Sequence, residues 1–230
     1  MLDLTHLENI VMAIGALGTA SFALVDATKI GRNGGISNSG FSFIECAVRQ
    51  VFPNSSRNSE TSEGKLLNIL HGIWINGSAL ADQKAIAKSL IKLQLSPQTA
   101  VNFAAATSVD STVLSEVAKN MTTGVGLTPQ QTNALGRFDL ALTAILDEGY
   151  QRADQKYRNF AKVLASIVSV LLAVLGGWAV AGSNAASYFG TNDVWIAALC
   201  GLLAIPLAPI SKDLTSALAA GVKVVQAIKQ

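Results

Sequence analysis

The sequence predicts an all-α membrane protein with three transmembrane helices. A helical cytoplasmic domain is inserted between the first and second, and a long helix runs from that domain into the membrane. Three observations predict it. Ala161 to Ala181 (AKVLASIVSVLLAVLGGWAVA) carries no ionisable residue after Lys162, and those nineteen positions rise through about 28 Å, close to the hydrocarbon thickness of a bilayer. Half of the residues are hydrophobic, 14% are charged and the mean hydropathy is +0.40, a balance that leans toward the bilayer. Finally, most of the charge lies between Asp26 and Lys162, where apolar residues recur at helical steps of three and four.

The chain divides accordingly into residues 1–28 (first span), 29–63 (loop, interfacial helix and polar linker), 64–162 (helical cytoplasmic domain ending in the long helix), 163–210 (transmembrane hairpin) and 211–230 (amphipathic cytoplasmic tail). Leu7 to Val25 is the first apolar run. Asp3, His6 and Glu8 ahead of it give no positive n-region, so it reads as a retained helix and not a cleaved signal. Gly15, Thr19, Ala23 and Ala27 repeat every four residues along it, a small-residue stripe on which another helix can approach closely. The glycine-rich GRNGGISNSG that follows must turn. Lacking the Walker and dinucleotide patterns, and following a membrane helix in place of a strand, it does not predict a nucleotide site.

Phe41 to Phe52 sets Phe41, Ile44, Val48 and Val51 or Phe52 on one face, the pattern of an interfacial or core-facing amphipathic helix, expected to lie along the membrane surface. Pro53 to Glu63 (PNSSRNSETSE) is polar and aperiodic, an exposed linker. Gly64 to Asn76 is apolar but short, and holds Asn68, His71 and Asn76, so it reads as a core helix with His71 as a hydrogen-bonded core histidine. Ser78 to Leu93 is amphipathic, with Leu80, Ile86, Leu90 and Leu93 expected inward. Its lysine row, Lys84, Lys88 and Lys92, is a candidate contact for anionic lipid headgroups or an acidic protein partner.

Two helix starts repeat, Ser96-Pro97 and Thr128-Pro129, each with a hydroxyl at the N-cap and proline at the first helical position; Gln131 completes a capping box at the second. Short helices are expected over residues 98–106 and 110–121. From Pro129 the long helix carries a seam of Leu135, Phe138, Leu142, Ile145, Gly149, Arg152 or Ala153, Tyr157, Phe160 and Leu164, expected to be covered mainly by helices of the same chain. Inside the span, Ala165, Ser169, Ala173, Gly177 and Ala181 form a second small-residue face. Trp178, Tyr188, Phe189 and Trp195 flank the connection to the third span, Val194 to Ile210, whose last turn is loosened by Pro206 and Pro209.

Charge sets the expected topology. Lys29 and Arg32 follow the first span, Arg152, Lys156, Arg158 and Lys162 precede the second, and Lys212 follows the third, while the opposite flanks have no Lys or Arg. Under the positive-inside rule the N-terminus lies outside, and the middle domain and C-terminus lie on the cytoplasmic side of the cell inner membrane.

Several functions are disfavoured. A net charge of +2 with no basic stripe argues against nucleic acid. Cys46 and Cys200 are the only cysteines and His6 and His71 the only histidines, so neither a disulfide framework nor a zinc site is expected. No catalytic constellation accompanies His71, and Asp147, Glu148 and Asp154 read as helix-surface partners of Arg152, Lys156 and Arg158. The expectation is a non-enzymatic, cofactor-free membrane anchor or assembly subunit. It would self-associate through Gly15, Thr19, Ala23, Ser169, Ala173 and Gly177, and present its domain to a cytoplasmic protein partner. The rival is an oligomeric channel lined by Thr19, Ser21, Ser166 and Ser169.

Overall fold

The computed structural model describes residues 4–31, 34–182 and 185–209, and these are helical with no strand among them. Helix α1 spans Leu4–Gly31. After a short 3₁₀ turn, Gly35–Ser37, come α2 (Asn38–Val51), α3 (Ser62–Asn76), α4 (Leu80–Lys92), α5 (Ala100–Thr107), α6 (Ser111–Thr123), α7 (Pro129–Val180) and α8 (Ala185–Tyr188). A last apolar helix, α9, covers Asp193–Pro209. The tail 211–230, with Lys212, and Arg32 lie outside the described residues. The chain forms two compact units: a head, Ser37–Tyr157, and an apolar unit of Met1–Ile36 with Arg158–Gln230.

α7 is 52 residues long, about 78 Å of rise, and begins as its sequence dictates. The Thr128 backbone N–H donates to Gln131 Oε1 at 3.0 Å while Gln131 N–H donates to Thr128 Oγ1 at 3.3 Å, a complete capping box. At the earlier start the helix is assigned only from Ala100, after a turn over residues 97–99, but Ser96 caps it: Thr99 N–H donates to Ser96 Oγ at 3.2 Å and Ala100 N–H to Ser96 O at 2.9 Å.

In the head, α2 to α6 cover the first part of α7. Phe138, Leu142, Leu146, Tyr150 and Ala153 are buried along it, against Phe41, Ile44 and Val48 of α2, Leu67, Leu70 and Trp74 of α3, and Phe103 of α5. Phe103 stacks on Phe138 with centroids 5.6 Å apart. Burying such side chains stabilises the fold by about 1.5–3 kcal/mol each. α2 and α7 approach almost backbone to backbone. A Cβ at Gly149 would sit 2.6 Å from Ala47 Cβ, and one at Gly40 would strike the Ala153 carbonyl and come within 2.9 Å of Trp74.

Three expectations change here. The helix expected along the membrane surface buries its apolar face in the head: Phe41, Ile44, Val48 and Val51 are all at most 2% exposed. That helix belongs to the head, the compact unit Ser37–Tyr157. The polar linker is strapped down, since Arg57 Nε meets Glu45 Oε1 at 2.6 Å, its guanidinium lies 5.2 Å from the Phe41 ring, and its carbonyl accepts from Asn68 Nδ2 at 3.1 Å. And α4 is rotated from its expected phase: Gln83, Ala87 and Ile91 are buried, whereas Ile86 is 39% and Leu93 81% exposed. The rotation follows from the lysine row, which α4 turns toward carboxylates on α7.

In the apolar unit the contacts are made by small residues. A Cβ at Gly201 of α9 would lie 2.6 Å from Val170 Cα and 2.8 Å from Ser169 O of α7, and one at Gly18 of α1 would strike the Ala204 carbonyl of α9. Without a hydrophobic drive between helices in lipid, such close backbone approach is what holds spans together.

Candidate functional site

Three surfaces carry the chemistry. The first is the exterior of the apolar unit. α1, through the stretch Asn9–Thr28, and α7 are long and apolar enough to cross a membrane, while α9 is a shorter apolar helix. On α7, Val163, Ile167, Leu171, Leu175 and Trp178 face outward, each more than 40% exposed, and on α9 Trp195, Ile196, Leu199, Leu202 and Leu203 do the same at 50% or more. Among the described residues those side chains stay largely uncovered, and their repeat at three and four residues on α7 makes a continuous apolar stripe.

The expected small-residue faces are placed differently on the two helices. On α7, Ala165 and Ser169 are fully buried, Ala173 and Gly177 half-buried, and the Tyr188 ring lies on Gly177. On α1, Gly15 turns inward but Thr19 and Ala23 are exposed; the inward row is Gly15, Gly18, Ser21 and Val25. The hydroxyls of Thr19, Ser21 and Ser166 each bond a carbonyl one turn back, Gly15 O at 2.9 Å, Leu17 O at 2.8 Å and Lys162 O at 2.9 Å. Ser169 Oγ is buried without a partner among the described residues.

The second surface is the seam between α4 and α7. Lys84 Nζ meets Asp147 Oδ1 at 2.5 Å, Lys88 Nζ meets Asp139 Oδ2 at 3.0 Å and Thr143 Oγ1 at 3.2 Å, and Lys92 Nζ meets Asp139 Oδ1 at 2.8 Å. All three candidate contact lysines are therefore bound within the chain. Hydrogen bonds from Lys92 and Lys88 hold the Asp139 carboxyl below the usual carboxylate range. Three ammoniums against two carboxylates leave one excess positive charge, and the lysines remain 27–39% exposed. Farther along, Glu148 pairs with Arg152 at 2.9 Å, as the helical spacing predicts, while Asp147 has turned to Lys84.

The third is the environment of His71. Its Nε2–H donates to Asn38 Oδ1 at 2.7 Å and its ring meets Phe41 edge-on, centroids 4.7 Å apart. Burial lowers its pKa below 6.5, the nearby Arg57 guanidinium lowers it further, and Glu45 opposes both. A neutral, hydrogen-bonded, aromatic-packed imidazole is positioned for structure. The phenol of Tyr150, also in the head core, is pushed well above its ordinary pKa by burial, and its hydroxyl has no partner among the described residues.

Sequence reasoning missed the acid partners of the lysine row, although Asp139 and Asp147 lie eight positions apart, the same spacing as Lys84 and Lys92, which was the available signal. Among the described residues no group of three or more His, Cys, Asp and Glu is placed to hold a metal. The chain matches no protein family, no curated protein and no solved structure.

Proposed function

We propose that this chain is a three-span membrane anchor that holds the Ser37–Tyr157 head at the cytoplasmic face of the inner membrane as an assembly subunit for a protein partner. The observation that carries the reading is the contrast between the units. The head buries its large apolar side chains around α7, whereas the other unit turns stripes of Leu, Ile, Val and Trp outward on both α7 and α9. Leaving such residues in water forgoes about 1.5–3 kcal/mol each, and hydrocarbon removes that cost. α9, with Asp193–Pro209, is at the short end of the 17–25 residues that span a bilayer, and serves as the third span because its Gly201 is locked against α7.

Self-association uses the outward Thr19 and Ala23, which are exposed among the described residues. The channel reading is weaker on the same geometry, because Ser169 is sealed against α9 and the hydroxyls of Thr19, Ser21 and Ser166 are already bonded to their own helices. Particle mass in mild detergent, followed by planar-bilayer recording of that same particle, tests the proposal. An oligomer without conductance is expected. Discrete channel currents that disappear in Ser169→Leu would replace the anchor by the pore, and a strictly monomeric particle would remove the assembly role.

A further inference from the structure

The segment between α2 and α3, residues 53–61, has no apolar side chain beyond Pro53, so hydrogen bonds and charge must fasten it to the head. Arg57 does most of the fastening. Its Nε meets Glu45 Oε1 of α2 at 2.6 Å, its guanidinium lies 5.2 Å from the Phe41 ring centroid, and its carbonyl accepts from Asn68 Nδ2 of α3 at 3.1 Å. Arg49 of α2 adds a second tie, donating from Nε to Ser55 O at 3.2 Å, and its guanidinium reaches Glu45 at 3.9 Å. Glu45, whose side chain is 15% exposed, therefore serves both arginines that hold the segment down.

His71 of α3 packs against the same Phe41 ring, edge-on with centroids 4.7 Å apart. Its Nε2–H is already given to Asn38 Oδ1 at 2.7 Å, so a second proton must be taken on Nδ1 and brings a full positive charge into the cluster. Among the described residues, the charged groups that act on the imidazole are Arg57 from the segment and Glu45 from α2. The titratable groups of α7 on this side, Tyr150 and Tyr157, meet Trp74 of α3, each with centroids 6.4 Å apart. The lysines of α4 are turned to Asp139 and Asp147.

A charge on His71 acts on the fastening in two ways. It repels the Arg57 guanidinium, which rests on the same ring, and it competes with that guanidinium for Glu45. The segment buries almost no apolar surface that could offset the loss. Linkage gives the same sign. Burial, and after it the Arg57 guanidinium, holds the imidazole below its ordinary 6.5, with Glu45 opposing both, so displacement of Arg57 lets the ring bind its proton more readily. Acid populates whichever form binds the proton more readily, here the released one, as pH falls below 6.5. Ordinary carboxylates, which titrate near pH 4, stay ionised through the upper part of that window.

We propose that residues 53–61 form a proton-released strap, in which the charge taken up by His71 frees Arg57 from Glu45 and Phe41 and lifts the segment off α2 and α3. The inference concerns the head alone and does not rest on the anchor reading.

The test uses the full chain in lipid nanodiscs and follows hydrogen–deuterium exchange across residues 53–61 at pH 7.5 and 5.0, corrected for the intrinsic pH dependence of exchange. The amides of Ser55 and Ser59, bonded to Phe52 O and Ser56 O, report the strap directly. Exchange in the parent is expected to rise by about three- to ten-fold at pH 5.0, the factor for like charges within about 10 Å near a protein surface. His71→Gln, which keeps a donor for Asn38, removes that rise, and Glu45→Gln gives fast exchange at both pH values. A second measurement stands even where a variant loses its fold at His71. In a His6→Gln background the one remaining imidazole is titrated by NMR, and Arg57→Gln is expected to raise its midpoint. Equal corrected exchange at the two pH values overturns the proposal, as does a rise that survives His71→Gln or a midpoint that Arg57→Gln leaves unchanged.

Discussion

Gly201→Ala isolates the contact between α7 and α9. The new methyl would fall 2.6 Å from Val170 Cα and 2.8 Å from Ser169 O, both backbone atoms that no rotamer change can move. Ordinary contact needs about 3.5–4.0 Å, so the helices must separate locally by about 1 Å. A gap of that size forfeits up to half of the dispersion energy of the surrounding contacts, and overpacking of this kind costs about 1–3 kcal/mol. Gly176→Ala is the matched control. It lies on the same helix pair, a Cβ there meets nothing within 4 Å, and its backbone is helical. Replacing that glycine should be neutral or stabilise by about 0.5–1 kcal/mol. Both variants are compared in one background, Cys46→Ser, by the rate at which a thiol reagent reaches Cys200, the half-buried neighbour of Gly201. Faster labelling and a lower melting temperature are expected for Gly201→Ala only. Equal behaviour of the two variants would refute the packing argument, because volume at residue 201 would then be free.

Two more outcomes follow from the head. Asp139→Asn removes the anionic partner of both Lys88 and Lys92; these pairs are about one-third exposed, so the loss is about 1 kcal/mol of head stability at low salt and shrinks as salt is added. Chemical denaturation at two ionic strengths measures it. The pH dependence separates into two windows. His71 has a folded pKa below 6.5, so the unfolded chain binds the proton more readily, and stability present above 6.5 is lost as pH falls through the lower folded value. Asp139 also has a depressed pKa, and its contribution is present above 3.8 and lost only in more acidic solution. Melting curves should therefore show an early decline that vanishes in His71→Gln, which keeps a donor for Asn38, and a later one that vanishes in Asp139→Asn. An early decline unchanged in His71→Gln would assign it elsewhere.

How much of this was legible depended on whether a local rule or a distant partner decided the outcome. The start of α7 was readable because Thr128, Pro129 and Gln131 act on one another within a single turn. Its length was readable because no break signal interrupts the apolar steps before Val180. The fate of α2 was not. An apolar row of Phe41, Ile44, Val48 and Val51 requires one buried face and says nothing about whether lipid or protein buries it. The decision came from Gly40 and Gly149, which let α2 lie directly on α7. The phase of α4 failed for a similar reason. Leucines at 90 and 93 compete with the lysine row for the inward side, and the carboxylates that settle the competition are about fifty positions away. The strap was read as free because its composition is polar, yet one residue, Arg57, ties it to Glu45, Phe41 and Asn68.

The two native cysteines give the most direct test of the anchor itself. Cys46 is exposed on the head and Cys200 is half-buried in α9. Sealed vesicles of both orientations are treated with a membrane-impermeant maleimide after an alkaline carbonate wash. The account predicts that the chain stays in the washed membranes, that Cys46 is labelled only when the cytoplasmic face is outward, and that Cys200 is labelled in neither orientation. Release of the chain by carbonate, or labelling of Cys46 from the opposite face, would contradict it.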